Sequence, residues 1–216
     1  RKNFIRARAL ARRRRRGREL AALLSEHFRR PVALVPSSIR GYDDIYAARH
    51  RRETLALVRV INPEKIDLWR NRTAGLPISC LPAEARLDRE WDAYSVLGPR
   101  GLSPRALWRC EDATAAERLN MPRASDVLRR RPDKVWDVLE LTFPAVRAMH
   151  GLGVVHLDLG VSNILLDLDA RRVAFIDFEY APAVPMNLPT QRAYDYLRVI
   201  NNCLKPRRGG DLLAQD

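Results

Sequence analysis

The sequence predicts an α+β chain in two parts, a β-rich first half carrying one helix and a helical second half carrying a small hairpin. Three observations carry this. Short apolar runs separated by polar turns crowd residues 31–61, as strands require. Apolar residues at helical spacing form stripes over 82–97 and 133–149. Two short apolar runs, 164–166 and 173–176, flank a polar turn at 167–171. With 216 residues and 46% hydrophobic content, the chain can form one ordinary domain or two small lobes around a real core.

The first 28 residues read as a basic helix or arm. Residues 1–18 hold ten basic side chains (Arg1, Lys2, Arg6, Arg8, Arg12 to Arg16 and Arg18) and no acid, so removing those ten from the net charge of +13 leaves only +3 for the rest. Such a segment is a solvated helix or one drawn to a polyanion, either an acidic membrane surface or nucleic acid. Phe4, Ile5, Leu10, Leu20, Leu23 and Leu24 interrupt the charge and favour a helix lying on an anionic membrane.

Residues 29–120 read as the β-rich lobe. Apolar runs at 32–35, 45–48 and 55–61, with a polar turn around Ser37 to Gly41, give a three-stranded antiparallel start. A loop containing Asn71, Gly75 and Pro77 leads to a helix over 82–97, opened by proline, closed by Gly98 and burying Leu87, Trp91 and Tyr94. Two further strands fit 105–110 and 116–120. Past a hinge near Asn120 to Pro122, residues 121–216 read as the helical lobe. A helix over 133–149 buries Val135, Val138, Leu139, Thr142, Val146 and Met149, and Pro144 should kink or interrupt it. A last helix over 192–204 is stopped by Lys205-Pro206.

Composition narrows the class. Cys80, Cys110 and Cys203 are scattered and odd in number, which fits neither a disulfide framework nor a zinc ligand set and suits a reducing compartment. No apolar run approaches the roughly 20 residues of a membrane span, and no signal-type apolar core follows the arginines. The expected location is cytoplasmic, with a peripheral place at the inner membrane as the use of the arm. The chain starts at Arg1 and not at a methionine, which leaves room for a segment upstream.

Chemistry concentrates in one constellation. Asp158 and Asn163 stand five apart in a loop, and Asp177 lies nineteen beyond Asp158 at the end of an apolar strand. Phosphoryl transfer needs such a set, because a carboxylate must orient the attacking hydroxyl and accept its proton while hard oxygen ligands hold Mg²⁺ on the nucleotide phosphates. Asp158 takes the first role and Asn163 with Asp177 the second. His156 then ties the loop to the strand bearing Asp177.

His156-Leu157-Asp158-Leu159-Gly160-Val161-Ser162-Asn163 and Asp177-Phe178-Glu179 resemble the His-x-Asp-x-x-x-x-Asn loop and Asp-Phe-Gly metal site of the protein-kinase-like superfamily. The resemblance covers about residues 30–204. It implies a two-lobed fold with a β-rich N-lobe and a minimal helical C-lobe, and a kinase using ATP and Mg²⁺. On this resemblance Asp195 matches the helix aspartate that braces the catalytic loop, an ordinary exposed aspartate being the other reading. Arg59, the only charge in the run 55–61, stands where the ATP-contacting lysine is expected, a substitution that choline-kinase-like members also accept. Its expected partners are a phosphate and a helix carboxylate, Glu90 or else Glu84, while an edge-strand arginine reaching solvent is the alternative. Gly41 is the only glycine of the phosphate-covering loop.

Glu179 replaces the glycine after Asp-Phe, as in the choline and ethanolamine kinase and lipopolysaccharide-kinase branches. Eighteen residues from Asp177 to Asp195 leave little room for a regulated activation segment. The short helical lobe resembles bacterial lipopolysaccharide kinases, which phosphorylate a Kdo or heptose hydroxyl, and the stretch from Thr114 through Leu128 resembles their hinge. The expected acceptor is therefore a lipopolysaccharide core sugar, nucleic acid being disfavoured as a partner. The alternatives are a minimal Ser/Thr protein kinase, a small-molecule kinase acting on an amino alcohol or antibiotic, and a pseudokinase that binds nucleotide as a scaffold.

Overall fold

The computed structural model describes residues 2–38, 41–62, 75–205 and 210–213. In chain order the first elements are α1 (Lys2–Phe28), β1 (Ala33–Ser38), β2 (Asp44–His50), β3 (Glu53–Val60), β4 (Ile78–Cys80) and α2 (Ala83–Leu97). They are followed by β5 (Ala106–Cys110), β6 (Ala113–Ala116), α3 (Ala124–Arg130), α4 (Val135–Gly151), β7 (Ile164–Asp167), β8 (Arg172–Phe175), β9 (Tyr180–Pro182), α5 (Leu188–Cys203) and α6 (Gly210–Leu213). By its packing the chain divides into two compact units, Arg1–Lys65 with Leu107–Arg118, and Ile66–Ala106 with Leu119–Asp216. The loop expected around Asn71 lies outside the described residues.

The first unit is a five-stranded sheet in the order β1-β2-β3-β6-β5, with α1 packed on it. Leu20 and Leu24, one helical turn apart, are 1% and 0% exposed and sit among Ala48, Ala56, Val58, Val60, Ala113 and Ala115. Four alanines on the sheet leave room for the helix to approach closely. Leu20 and Leu24, counted in the sequence among the residues of a membrane-lying face, are instead spent on the protein core, whose apolar surface is a better partner than water. Arg16 Nε donates to Asp112 Oδ2 at 2.8 Å, and Arg13 lies 3.8 Å from Asp44. Burial pushes the Asp112 carboxyl up, but the bonds from Arg16 and Cys110 and the Arg16 charge outweigh it and hold the group below the usual carboxylate range. Leu24→Ala should destabilise the protein by about 2–5 kcal/mol, the range for a buried leucine that leaves a cavity, and denaturant melts measure it.

The strand expected at 116–120 is instead β6, at Ala113–Ala116, because Glu111 and Asp112 make the turn. β3 lies between β2 and β6, so the edge-strand reading of Arg59 falls.

In the second unit, α2 runs where expected and buries Leu87 and Tyr94, with Trp91 half-buried. Gly98 ends it for a different reason than a left-handed cap. Its φ is −57°, and a Cβ there would meet Arg105 Cα at 2.8 Å, so glycine answers a close backbone approach. α4 buries all six residues of the expected stripe. Pro144 does not interrupt it; the proline stands on the exposed face, where water can satisfy the carbonyl it frees one turn back. α5 begins four residues earlier than the apolar pattern suggests, since Asn187 Oδ1 accepts from Thr190 N at 2.9 Å and Pro189 fits the first turn. The β7–β8 hairpin forms as expected, and β4 pairs with β9.

Candidate active site

Residues 156–163 form a compact loop braced from three sides. Inside it, Gly160 N donates to Asp158 O at 2.7 Å and Asn163 N to Gly160 O at 2.8 Å. The Asn163 side chain closes the turn, its Nδ2 donating to Asp158 O at 2.9 Å and lying 3.4 Å from Asp158 Oδ2. Ile176 N donates to Asn163 O at 3.0 Å, which joins the loop to the residue preceding Asp177.

His156 is fully buried and makes the second link to that segment. Its Nε2 lies 2.8 Å from Ile176 O, and because a carbonyl only accepts, Nε2 carries the proton. Phe178 is 0% exposed, lies against the His156 ring at 4.4 Å with the planes tilted by 34°, and meets the Tyr94 ring edge-on at 6.0 Å. Asp177 N donates to Tyr94 Oη over a long 3.4 Å. Leu157 (φ 71°) and Asp177 (φ 67°) both occupy the left-handed region. Such strain costs about 1–3 kcal/mol per residue and persists only where the surroundings dictate it.

The third brace is α5. Asp195 is completely buried; its Oδ2 accepts from His156 N at 2.9 Å and its Oδ1 from Leu157 N at 2.6 Å. His150 Nε2 lies 2.9 Å from the same Oδ2. The reading of Asp195 as an ordinary exposed aspartate is thereby overturned. One turn further, Arg198 ion-pairs with Asp158 Oδ1. Arg89 of α2 donates to Val155 O at 2.9 Å, and burial lowers its pKa, with Asp195 acting in the opposite sense. Burial likewise raises the pKa of Tyr194, opposed by Arg198 and aided by Asp158 and Asp195.

The second unit thus brings Asp158, Asn163, His156 and Asp195 into one bonded network, with Asp177 following directly on its anchored residue. The donor chemistry fits Mg²⁺. Asn163 spends its Nδ2 on the loop, so its Oδ1 would be the atom offered to a cation, and Asp177 would add a carboxylate. Mg²⁺ is commonly held by one or two protein oxygens with phosphate and water completing the shell. No cluster of three His, Cys, Asp or Glu that could hold a metal ion is found among the described residues.

The nucleotide-facing expectations divide between the units. In the first, Arg59 is 8% exposed and its Nη1 donates at 3.4 Å to Asp43 Oδ2, a carboxylate the sequence reading did not assign. Gly41 is exposed at φ 99°, with open space around its Cβ position. In the second, Glu90 is 5% exposed whereas Glu84 is open to solvent.

Residues 95–185 match the model of APH, the phosphotransferase enzyme family. The chain is a kinase-type enzyme. The matched stretch, under half of the chain, holds Asp158, Asn163 and Asp177 and ends just past β9. With the sheet unit and the helical unit described above, it gives an α+β kinase-like fold and a phosphotransferase activity, for which a nucleotide and a hydroxyl-bearing acceptor are the implied substrates. No curated protein matches the chain. Sequence reading missed Arg198, Arg89, His150 and Asp43, and took Tyr94 only as a core residue of α2. Only Arg198 carried a local signal, its position one helical turn past Asp195.

Proposed function

We propose that the protein transfers the γ-phosphate of ATP, with Mg²⁺, to a hydroxyl of a lipopolysaccharide core sugar. The observation that carries the phosphotransfer is the loop of Asp158 and Asn163 hydrogen-bonded to the residue preceding Asp177. In this reading Asp158 orients the acceptor hydroxyl and takes its proton. Asn163 Oδ1 and the Asp177 carboxylate hold the cation, which would neutralise charge developing on the phosphate oxygens. His156 and Asp195 fix the loop so that little reorganises during reaction, while Arg59, Gly41 and Glu90 serve the nucleotide.

The lipopolysaccharide acceptor rests on the residues after Asp177 and on the arginine arm. Glu179 after Asp-Phe and the short span to Asp195 favour that branch over a regulated protein kinase. A cavity of about 450 Å³ between α1 and the β1–β2 strands adds to it, with Arg13, Arg14 and Arg18 around Leu34, Pro36, Ile45 and Tyr46. Arg14 and Arg18 have no acidic partner among the described residues, which suits an anionic lipid surface beside the acceptor. No helix of the described residues is long and apolar enough to cross a membrane, so such attachment would be peripheral.

Release of ADP from ATP and Mg²⁺, with and without lipopolysaccharide core, tests this against Asp177→Ala. Acceptor-stimulated turnover that vanishes in the variant is expected. Turnover with an amino alcohol, an aminoglycoside or a protein acceptor instead would move the acceptor, and ATP binding without turnover on any of them would indicate a pseudokinase. For the membrane part, Arg14→Ala with Arg18→Ala should weaken binding to phosphatidylglycerol vesicles about 30-fold at low salt, at about 1 kcal/mol per arginine. Equal binding of both proteins would remove it.

A further inference from the structure

We infer that Arg198 is the positioning residue of the proton-accepting carboxylate, holding Asp158 Oδ1 so that Oδ2 alone is presented to the acceptor hydroxyl; this rests on the reading of Asp158 as base. Asp195, Arg198 and Asn202 of α5 fall at i, i+3 and i+7 and so share one stripe. Asp195 takes the amides of His156 and Leu157, and Arg198 takes the Asp158 carboxylate. Asn202 lies where a side chain on Gly160 would reach, its amide atoms 3.5 Å from that Cβ position, and its Nδ2 donates to Arg198 O at 2.9 Å. One polar stripe therefore meets the loop at 156–157, 158 and 160, while Val199 and Cys203 of the same helix go to the core.

Each contact on that stripe fixes a different degree of freedom. Asp195 sets the loop's backbone, and Arg198 sets the side-chain torsions of Asp158. With Oδ1 engaged by the guanidinium, Oδ2 keeps, among the described residues, only the long 3.4 Å approach of Asn163 Nδ2. In the reaction the hydroxyl proton passes to Oδ2 as the acceptor oxygen bonds to the γ-phosphorus. The bond from that phosphorus to its bridging oxygen breaks, and ADP leaves with the electron pair. A carboxylate free to swing would present either oxygen at varied angles, and misplacement by about 1 Å can cost on the order of 100-fold. Both partners of the pair keep 23% of their side-chain surface exposed, and ion pairs that open add little to stability. Orientation is what the contact supplies. The Arg198 Nε is sealed from solvent without a hydrogen-bond partner among the described residues, so the root of the guanidinium is buried while its end meets Asp158.

The test measures kcat and KM for Arg198→Gln, Arg198→Lys, Asp158→Asn and the double variant Asp158→Asn/Arg198→Gln, with thermal melts of each. Arg198→Gln should lose about 100-fold in kcat with KM for ATP little changed. Arg198→Lys should keep part of the rate, a point charge replacing a planar fork. Millimolar guanidinium should restore part of the turnover of an Arg198→Ala protein, which a merely structural role would not allow. In the double variant, the second substitution should cost nothing beyond Asp158→Asn, since Arg198 acts through that carboxylate. If Arg198→Gln, or Arg198→Lys should the former not fold, turns over at the wild-type rate while Asp158→Asn is inactive, the inference is wrong and the base stands. If Asp158→Asn turns over normally, the base reading itself fails.

Discussion

Asp158→Asn should lower ATP turnover by about 10²–10⁴-fold, the range for loss of a general base, while leaving the fold in place. The amide is nearly isosteric, and the backbone bonds that shape the loop remain. They run from Gly160 N and Asn163 Nδ2 to the carbonyl of residue 158, and from His156 and Leu157 to Asp195. What is lost is the group able to take the hydroxyl proton. The ion pair with Arg198 is lost as well, so part of the effect is misorientation. The melting temperature should change by only a few degrees. Turnover within twofold of wild type would remove Asp158 from the chemistry, and a collapse of stability would recast it as a structural residue.

Asp195→Ala should instead produce the largest loss of stability. The carboxylate is wholly buried and receives two backbone N–H groups and His150 Nε2. Deleting it strands three buried donors, at about 1–3 kcal/mol for each group left unsatisfied, or roughly 3–9 kcal/mol together. For a chain of this size, each kcal/mol lowers Tm by about 2–4 °C, so a fall of at least about 6 °C, and on the order of 10–20 °C, is expected. Asp195→Asn should not rescue it fully, because an amide nitrogen would then face a backbone N–H. Amide exchange at His156 and Leu157 should accelerate with the melt. An unchanged Tm would show that the loop holds itself and that α5 merely packs nearby.

The parts of this protein that could be read from its sequence are those fixed by short spacings. His156, Asp158 and Asn163 share one loop, and the loop's own hydrogen bonds hold them together, so their spacing is their structure. The stripe of α4 obeyed its period because all six residues face one core. Leu20 and Leu24 escaped because the arginine run dominates their neighbourhood while their partners, Ala48, Ala56, Ala113 and Ala115, are small residues scattered along distant strands. Arg59 stood out as the only charge in its apolar run, but Asp43 could not be read as its partner, since the register that brings strand beginnings beside strand ends is set by the whole sheet. The brief strands β4 and β9 offer three residues each, too few for any period to show.

The single polar stripe on α5 has a consequence for how this chain can change its length. A residue inserted or deleted between Asn187 and Asp195 turns everything beyond it by about 100° about the helix axis. Asp195, Arg198 and Asn202 would leave the loop together. The turn at 167–171 joins two strands that pair with each other and carries none of these contacts, so it can absorb added residues. Sequence drift in length is therefore confined to one side of Asp177 and closed on the helix that follows it.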